Sequence, residues 1–291
     1  MVNALTVDVE DYFHVQAFAG VIKHIDWSGY SPRVERNTYR LLEIFAARKV
    51  YATFFILGWV AKRFPQLVKD IAGEGHEIGS HGYAHQMIGT ASEVAFREDL
   101  RRSKFVIEDF LGREVLSYRA PSYSITAKTL WALDALTDEG FLRDSSIFPV
   151  VHDYYGFPGA PRFPHYRRLR DNRCIAEFPP STLRLYGVNV PVAGGGYLRL
   201  FPYSLTAWAI RCINERERQP ALVYLHPWEI DPEQPRISAH WLSRFRHYQN
   251  LHSTEDKLVR LLVEFSWASM TEVLSTSLRA AASELEATHG F

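Results

Sequence analysis

Two histidines four residues apart, His81 and His85, are the side chains of this sequence best suited to hold a metal ion. They follow a short apolar segment at 77–80 that has the pattern of a strand. If the chain coils into a helical turn after that strand, both imidazoles lie on one face and can converge on one ion. The spacing alone is a weak indication, because 12 histidines in 291 residues give about 0.5 such pairs by chance. A site therefore requires a carboxylate ligand, a base and an acid from other strand ends.

Acidic side chains near the N-terminus can complete such a site. Apolar and polar residues alternate over 5–10, which predicts a half-buried strand with Asp8 and Glu10 on one face. Two carboxylates on one face can divide two roles, since one can bind a cation while the other serves as a base. Taken alone, the same residues are equally typical of solvated acids at a strand end.

Three more polar clusters end predicted strands, and they are centred on Arg119, Asp144 and His226. Each has an ordinary alternative: a surface cation for Arg119, a turn or helix cap for Asp144, and a core histidine for His226. Their combination favours a catalytic site, because together the five clusters supply the distinct roles that amide hydrolysis requires. In a parallel barrel, such groups belong at the C-terminal ends of the strands.

The elements that must position these groups alternate between short apolar strands and amphipathic helices. Strands are predicted at 5–9, 51–57, 77–80, 116–119, 141–144, 174–178, 221–225 and 265–268, and helices at 31–45, 65–72, 90–112, 127–138, 204–217, 255–264 and beyond 268. Roughly seven β/α units without a linker or repeat predict an irregular parallel barrel, with a doubly wound open sheet as the alternative. Two insertions, 14–30 and 149–170, are expected on the face where the strands end.

The composition restricts the classes of partner. Lys+Arg and Asp+Glu are both 33, so the chain lacks the basic surface that nucleic-acid binding requires. No run of about 18 apolar residues and no leader pattern is visible, which predicts a cytoplasmic protein without a membrane span. Cys174 and Cys212 are expected to be reduced and buried, and not to bind metal. The aromatic share of 14% fits either a large core or a groove that stacks sugar rings.

The ordered motifs Thr-x-Asp, Ser-His-x-x-x-His, Arg-x-Pro, Asp-Ser and Leu-x-His, within residues 6–226, resemble those of a known enzyme family. They are similar to the polysaccharide deacetylases of carbohydrate esterase family 4, the chitooligosaccharide deacetylase group. Segments 191–197 and 248–252 resemble the subgroup encoded with bacterial exopolysaccharide export loci. The resemblance implies an α/β fold, a distorted (β/α)7 barrel, which forms a single domain over 1–291 with a C-terminal extension at about 236–291 packed on the barrel.

The resemblance also implies an activity: metal-dependent removal of N-acetyl groups from a hexosamine-containing polysaccharide, in exopolysaccharide or cell-wall metabolism. The residues that match the family motifs then take these roles: Asp8 the general base, His81 and His85 metal ligands, Arg119 the partner of the base, Asp144 the carboxylate that orients the catalytic imidazole, and His226 the general acid. Pro121, Ser122, Tyr123 and Trp228 are expected to bind substrate, and a backbone N–H near Ser122 or Tyr123 to stabilise the oxyanion.

Two positions depart from the family pattern. Val9 occupies the place of the usual metal-binding aspartate, so the third ligand must be Glu10 or Asp11. We favour Glu10, because the strand period points it the same way as Asp8, while Asp11 remains open if the chain turns after Val9. Asp144 is followed by Ser145-Ser146 instead of an aromatic residue. The wall of the acetyl pocket is therefore expected from other aromatic residues: Phe148, Tyr123 or Trp228.

Two imidazoles and one carboxylate favour Zn²⁺, although Co²⁺ and Ni²⁺ accept the same ligands. The expected partner is an N-acetylated polysaccharide or oligosaccharide, with no nucleic acid and no assigned oligomeric state. Two alternatives remain: a metal-independent amidohydrolase acting on a small cyclic amide, and a non-catalytic carbohydrate-binding relative. The altered carboxylate segment keeps the first alternative open, and the retained histidine pair argues against it.

Overall fold

The computed structural model describes residues 1–152 and 155–288, and its centre is a mixed sheet. The strands are β1 Val2–Val9, β2 Thr53–Ile56, β3 Glu77–Ser80, β4 Ser117–Tyr118, β5 Arg143–Asp144, β6 His165–Arg168, β7 Cys174–Glu177, β8 Thr182–Leu185, β9 Val188–Pro191, β10 Leu222–Leu225 and β11 Ser266–Ala268. Seven of these described strands run parallel in the order β10-β1-β2-β3-β4-β5-β7. β6 pairs antiparallel with β7, β11 pairs with β1, and β8 and β9 form a separate hairpin.

The seven parallel strands form a distorted (β/α)7 barrel, as predicted. Their order follows the chain without the reversal that a doubly wound sheet requires, so that alternative is wrong. The gap between β7 and β10 is bridged by only a few contacts. The Ser181 amide donates to the Leu222 carbonyl at 3.3 Å, and Gly194 forms an isolated bridge with Tyr224. This sparse closure is the distortion of the barrel.

Helices surround the sheet. They are α1 Val34–Ala46, α2 Gly58–Arg63, α3 Pro65–Gly73, α4 Glu93–Leu111, α5 Trp131–Asp138, α6 Gly195–Leu200, α7 Tyr203–Arg211, α8 Trp241–Tyr248, α9 Thr254–Glu264 and α10 Met270–Thr288. The sequence pattern missed α2, α6 and α8. It also placed two starts too early: α1 begins at Val34 instead of after Ser31-Pro32, and the cap of α4 is Ser92 instead of Thr90.

The first strand is buried on both faces, instead of half-buried as its alternation predicts. Leu5, Val7 and Val9 belong to the large cluster between the sheet and the helices. Ala4 joins the cluster of the barrel interior, and Thr6 and Asp8 share its side of the strand. Parallel barrels bury both faces, so the polar positions of β1 point into the barrel rather than to solvent. Asp8 is therefore carried on a strand that is buried on both faces.

Two further observations bear on the sequence predictions. Within residues 1–152 and 155–288, no helix combines the length and the apolar character needed to cross a bilayer. Cys174 and Cys212 are both free, but only Cys212 is buried. Cys174 is exposed because it begins β7 next to the outer strand β6, so its predicted burial is wrong.

Candidate metal centre and catalytic cleft

Three side chains at the C-terminal ends of the strands form a cluster that can hold a metal ion. Glu10 directly follows β1, and His81 and His85 lie on the loop after β3. One ligand atom from each residue lies within 4.8 Å of the others, and all three residues are buried. The spacing of the two histidines predicted a helical turn, and this prediction is wrong. Residues 81–85 form an irregular loop, in which His85 has a φ of 51°. A left-handed backbone conformation is strained at a residue other than glycine, and such strain is typical of functional sites.

The structure separates the roles of the two candidate carboxylates. Asp11 faces the start of α1, where its Oδ2 accepts hydrogen bonds from the amides of Arg33 (2.6 Å) and Val34 (2.9 Å). Its Oδ1 accepts from the Tyr12 amide at 2.9 Å. Burial raises the pKa of Asp11 to about 6 despite these bonds. Asp11 is therefore a helix cap supplied from a distant segment, and Glu10 is the carboxylate beside the histidines.

The donor set of the cluster fits a divalent cation. Oε2 of Glu10 is buried, and its nearest polar neighbour of opposite type is His85 Nε2 at 2.8 Å. His81 Nδ1 lies 2.8 Å from the Arg119 carbonyl oxygen and donates to it, which leaves Nε2 free to bind an ion. Burial lowers the pKa of His81 to about 4, so the ring is neutral, as a ligand must be.

Charges around Glu10 keep it ionised. Burial opposes ionisation, but the nearby His85 and His226 hold the pKa of Glu10 below its usual value. The indole N–H of Trp228 donates to Glu10 Oε1 at 3.3 Å and helps to orient the carboxylate. Glu10 is thus a preoriented anion in a buried pocket, which is the state that cation binding requires.

Asp8 and Arg119 form a buried pair at the base of the cleft. Arg119 Nη1 donates to Asp8 Oδ1 at 2.7 Å and to Thr6 Oγ1 at 2.8 Å. The other guanidinium nitrogens donate to Ser145, with Nε bound to its carbonyl (3.2 Å) and Nη2 to its hydroxyl (2.8 Å). The resemblance implied this pairing of the base with Arg119. Because Oδ1 is occupied, Asp8 presents Oδ2 toward the cleft, 3.8 Å from His226 Nε2.

The carboxylate that contacts the His226 imidazole is Glu229, not Asp144 as the resemblance implied. His226 Nδ1 lies 3.1 Å from Glu229 Oε2, and Glu229 in turn pairs with Arg199 at 2.7 Å. Burial alone lowers the pKa of His226, but the negative charges of Glu10, Glu229 and Asp8 outweigh it and raise that pKa to about 9. The imidazole is therefore protonated near neutral pH and can act as an acid.

Asp144 instead holds the backbone that carries Arg119. Its Oδ1 accepts from Ser146 Oγ at 2.5 Å, and that hydroxyl accepts from the Ala120 amide at 2.7 Å. Asp144 also lies in register with Glu177 of β7, and burial together with the charge of Asp144 raises the pKa of Glu177. Asp144 is not the partner of His226, because β5 places its side chain beside Ser146 and Glu177 rather than against β10.

The cleft above these groups has a volume of about 230 Å³. Outside the ligand and catalytic residues, its lining includes Ser122, Tyr123, Tyr155, Gly195, Gly196, Tyr224, Trp228 and Arg246. Of the expected substrate-binding residues, Ser122, Tyr123 and Trp228 line the cleft and Pro121 does not. Of the three candidates for the acetyl wall, Tyr123 and Trp228 line it, while Phe148 packs behind Tyr123 at 5.3 Å. A larger depression of about 610 Å³ lies beside Glu77, at the opposite ends of the strands.

The turn between Pro121 and Ser124 is strained. Ser122 and Tyr123 both have a φ of 52°, in the left-handed region. The Tyr123 amide donates to the Ala120 carbonyl at 3.0 Å, so the Ser122 amide is the better candidate for an oxyanion donor. The hydroxyl of Tyr123 is buried and has no hydrogen-bond partner among the described residues. Strain and an unpaired hydroxyl at one turn indicate a surface shaped for a ligand.

The sequence motifs did not identify Arg199 and Glu229 as residues of the site. Glu229 lies three residues after His226, in the segment His-Pro-Trp-Glu, and a 3-10 turn from Pro227 to Ile230 brings its carboxylate back to the imidazole. That spacing was a usable signal for a capping box. Arg199 carried no signal, because its contact with Glu229 depends on α6 packing beside β10.

The chain is similar in sequence and fold to several known proteins. Residues 28–138 match the family model described as "Polysaccharide deacetylase". Residues 145–275 match a second model, described as a domain of unknown function (DUF3473).

One curated relative is a peptidoglycan-N-acetylglucosamine deacetylase of Bacillus cereus, 29% identical over 135 residues, which are 42% of this chain and 48% of the relative. The chain thus spans about half the length of that relative. A putative polysaccharide deacetylase from Mycobacterium smegmatis has a TM-score of 0.61 at 21% identity, covering 97% of this chain and 91% of that one. The Puue allantoinase has a TM-score of 0.59 at 15% identity, covering 94% and 89%. At these identities, the two solved structures establish a shared fold.

Proposed function

We propose that this protein is a metal-dependent hydrolase that removes N-acetyl groups from a hexosamine-containing polysaccharide. The observation that carries the proposal is the convergence of three features in one cleft. They are a cluster of two histidines and a carboxylate, a second carboxylate paired with a buried arginine, and a protonated imidazole. Metal-assisted amide hydrolysis requires these three parts.

Glu10, His81 and His85 would hold the cation. When bound, the cation polarises the acetyl carbonyl and lowers the pKa of a water molecule. Asp8, whose Oδ2 faces the cleft, accepts the proton of the attacking water. The Ser122 amide donates to the oxyanion, and a donor of this kind contributes roughly 3–4 kcal/mol.

His226 completes the reaction as the acid. It donates its Nε2 proton to the departing amine while Glu229 holds Nδ1. The C–N bond breaks, and the products are acetate and a free amino sugar. Arg119 neutralises Asp8 at its inner oxygen and so fixes which oxygen is available to the water.

The finer parts of the proposal rest on the same residues. Zn²⁺ suits two imidazoles and one carboxylate, and Co²⁺ or Ni²⁺ suits the same set. We assign residues 1–291 to one catalytic unit, with the motifs of 6–226 at its centre and 236–291 as an extension. The family resemblance of 191–197 and 248–252 supports a role in bacterial exopolysaccharide metabolism.

The second candidate is a metal-independent amidohydrolase that acts on a cyclic amide, and the fold shared with an allantoinase favours keeping it in the test. The buried carboxylate of Glu10 beside two histidines argues for the metal-dependent reaction instead. A carbohydrate-binding relative without catalysis is disfavoured, because base, acid and ligand groups are all present.

The deciding experiment measures acetate released from N-acetylated chito-oligomers and from peptidoglycan fragments. A parallel assay measures hydrolytic ring opening of allantoin, which serves as the cyclic amide. The protein is assayed as purified, after chelator treatment, and after Zn²⁺, Co²⁺ or Ni²⁺ is restored. We expect acetate release that chelator abolishes and metal restores. Hydrolysis of the cyclic amide that chelator leaves unchanged would favour the second candidate, and glycan binding without turnover would favour the third.

A further inference from the structure

Arg199 is a buried cation whose contacts all lead to the back of the catalytic cleft. It lies on α6 with a side-chain exposure of 3%, and its Nε donates to Glu229 Oε1 at 2.7 Å. Its Nη1 donates to the carbonyl oxygen of His247, and its guanidinium carbon lies 4.9 Å from the Trp228 ring centroid. A buried arginine is costly unless its partners are well placed, and here they are a carboxylate, a carbonyl and an indole face.

Glu229 is fully buried, and its two oxygens have different partners. Oε1 accepts from Arg199, while Oε2 accepts from both the backbone amide of His226 (2.9 Å) and its Nδ1 (3.1 Å). The carboxylate therefore requires the proton of the neutral imidazole to be on Nδ1 and directs Nε2 into the cleft. There, Nε2 lies 3.4 Å from Glu10 Oε1 and 3.8 Å from Asp8 Oδ2.

An aromatic stack fixes the plane of the same imidazole. Trp228 lies parallel to His226, with ring centroids 5.1 Å apart and 19° between the planes. His247 of α8 also stacks on Trp228, at 4.1 Å and 18°. His247 is anchored in turn, since its Nε2 lies 2.7 Å from the side-chain oxygen of Gln234. The stack sets the imidazole plane, while Glu229 sets its rotation and tautomer.

The groups that support His226 come from one region of the chain. Arg199, Glu229 and His247 all lie within 145–275, the region that matches the domain of unknown function. The proposed base and metal ligands precede that region, at positions 8, 10, 81 and 85. A role in holding the acid would explain why the two regions occur on one barrel.

We propose that Arg199 and Glu229 are positioning residues that hold His226 in its proton-donating orientation, and that this is a contribution of the 145–275 region to the site. The inference rests on the proposed function, because it takes His226 as the acid. A purely structural role is the competing explanation, because removal of one partner of a buried arginine–glutamate pair leaves an unpaired charge and destabilises the fold. The two explanations differ in whether Glu229 controls the tautomer and orientation of His226.

The test compares Glu229→Gln and Arg199→Lys with a matched control, Glu217→Gln. Glu217 pairs with Arg162 in the same region of the chain, with 3.0 Å between Glu217 Oε1 and Arg162 Nη2, and neither residue lines the cleft. We expect Glu229→Gln to lower kcat by about 100-fold with KM within about twofold, because orientation of an acid acts in the transition state. Glu217→Gln should leave both constants within about twofold of the parent values.

A double-mutant cycle separates positioning from general destabilisation. In a His226→Ala background, Glu229→Gln should change kcat by less than about twofold, because the residue it acts on is absent. Additive losses in the two backgrounds would overturn the proposal. Arg199→Lys, which keeps the charge but not the fork of donors, provides a second variant if Glu229→Gln does not fold.

A spectroscopic measurement tests the inference without reference to activity. In protein labelled with ¹⁵N-histidine and recorded where His226 is neutral, its nitrogen shifts should report Nδ1–H in the parent and in Glu217→Gln. Glu229→Gln and Arg199→Lys should move it toward the Nε2–H form. Unchanged His226 signals in both variants would overturn the proposal. A parent that releases no acetate but shows the tautomer change would instead refute the deacetylase function and leave the positioning role standing.

Discussion

Adjacent carboxylates at positions 10 and 11 allow a test of the metal centre with its own control. Glu10→Gln and Asp11→Asn each replace one buried carboxylate by its amide. The structure gives the two residues different tasks, since Glu10 joins the histidine cluster while Asp11 caps α1. We therefore expect Glu10→Gln to impair metal binding and Asp11→Asn to impair stability alone.

The expected sizes follow from the contacts. Disturbing a group that merely orients a ligand typically weakens binding 10–100-fold, so loss of one of three ligands should cost at least about 100-fold. At a metal concentration of about 100 times the parent Kd, binding stabilises the parent fold by about 2.7 kcal/mol, and a 100-fold weaker variant by only about 0.4 kcal/mol. Asp11→Asn should retain the full metal increment but lose about 0.5–2 kcal/mol of the metal-free stability through its weakened cap.

The assay is denaturant unfolding of parent and both variants, with and without Zn²⁺, together with metal affinity from competition with a chromophoric chelator. The increment caused by metal is compared within each variant, so that differences in basal stability cancel. Equal increments for the Glu10 variant and the parent would refute the assignment of Glu10 as a ligand. A lost increment in Asp11→Asn would transfer the role to Asp11.

Two other predictions concern the base and a buried carboxyl pair. Asp8→Asn should retain metal, since Asp8 lies outside the ligand cluster, but lower acetate release by about 10²–10⁴-fold; near-parental turnover would contradict its role as base. Burial and the charge of Asp144 raise the pKa of Glu177 well above its usual value of 4.5, so its stabilising contribution is complete below pH 4.5 and is lost as pH rises toward the folded-state value. Glu177→Gln, which cannot ionise, should therefore reduce the decline of the unfolding free energy as pH rises above 4.5. Parallel stability curves for parent and variant would contradict this.

Local pattern in the sequence determined much of the site. The period of the first strand placed Asp8 and Glu10 on one face, and that face points into the barrel. The ends of the parallel strands brought His81, Arg119 and His226 to the same edge, as their order in a β/α chain requires. These predictions succeeded because each depends on neighbours in sequence or on the fixed direction of parallel strands.

Only the tertiary structure decided which carboxylate serves which partner. Asp11 is directed to α1 by amides 22 and 23 residues away, and this contact removes it from the metal cluster. Glu229 takes the place expected of Asp144 because Arg199, 30 residues earlier, neutralises its buried charge. Such choices are made by contacts between distant segments, where burial makes an unpaired charge too costly to tolerate. The types of residue at the site could therefore be predicted from the sequence, whereas packing decided which of them pair with each other.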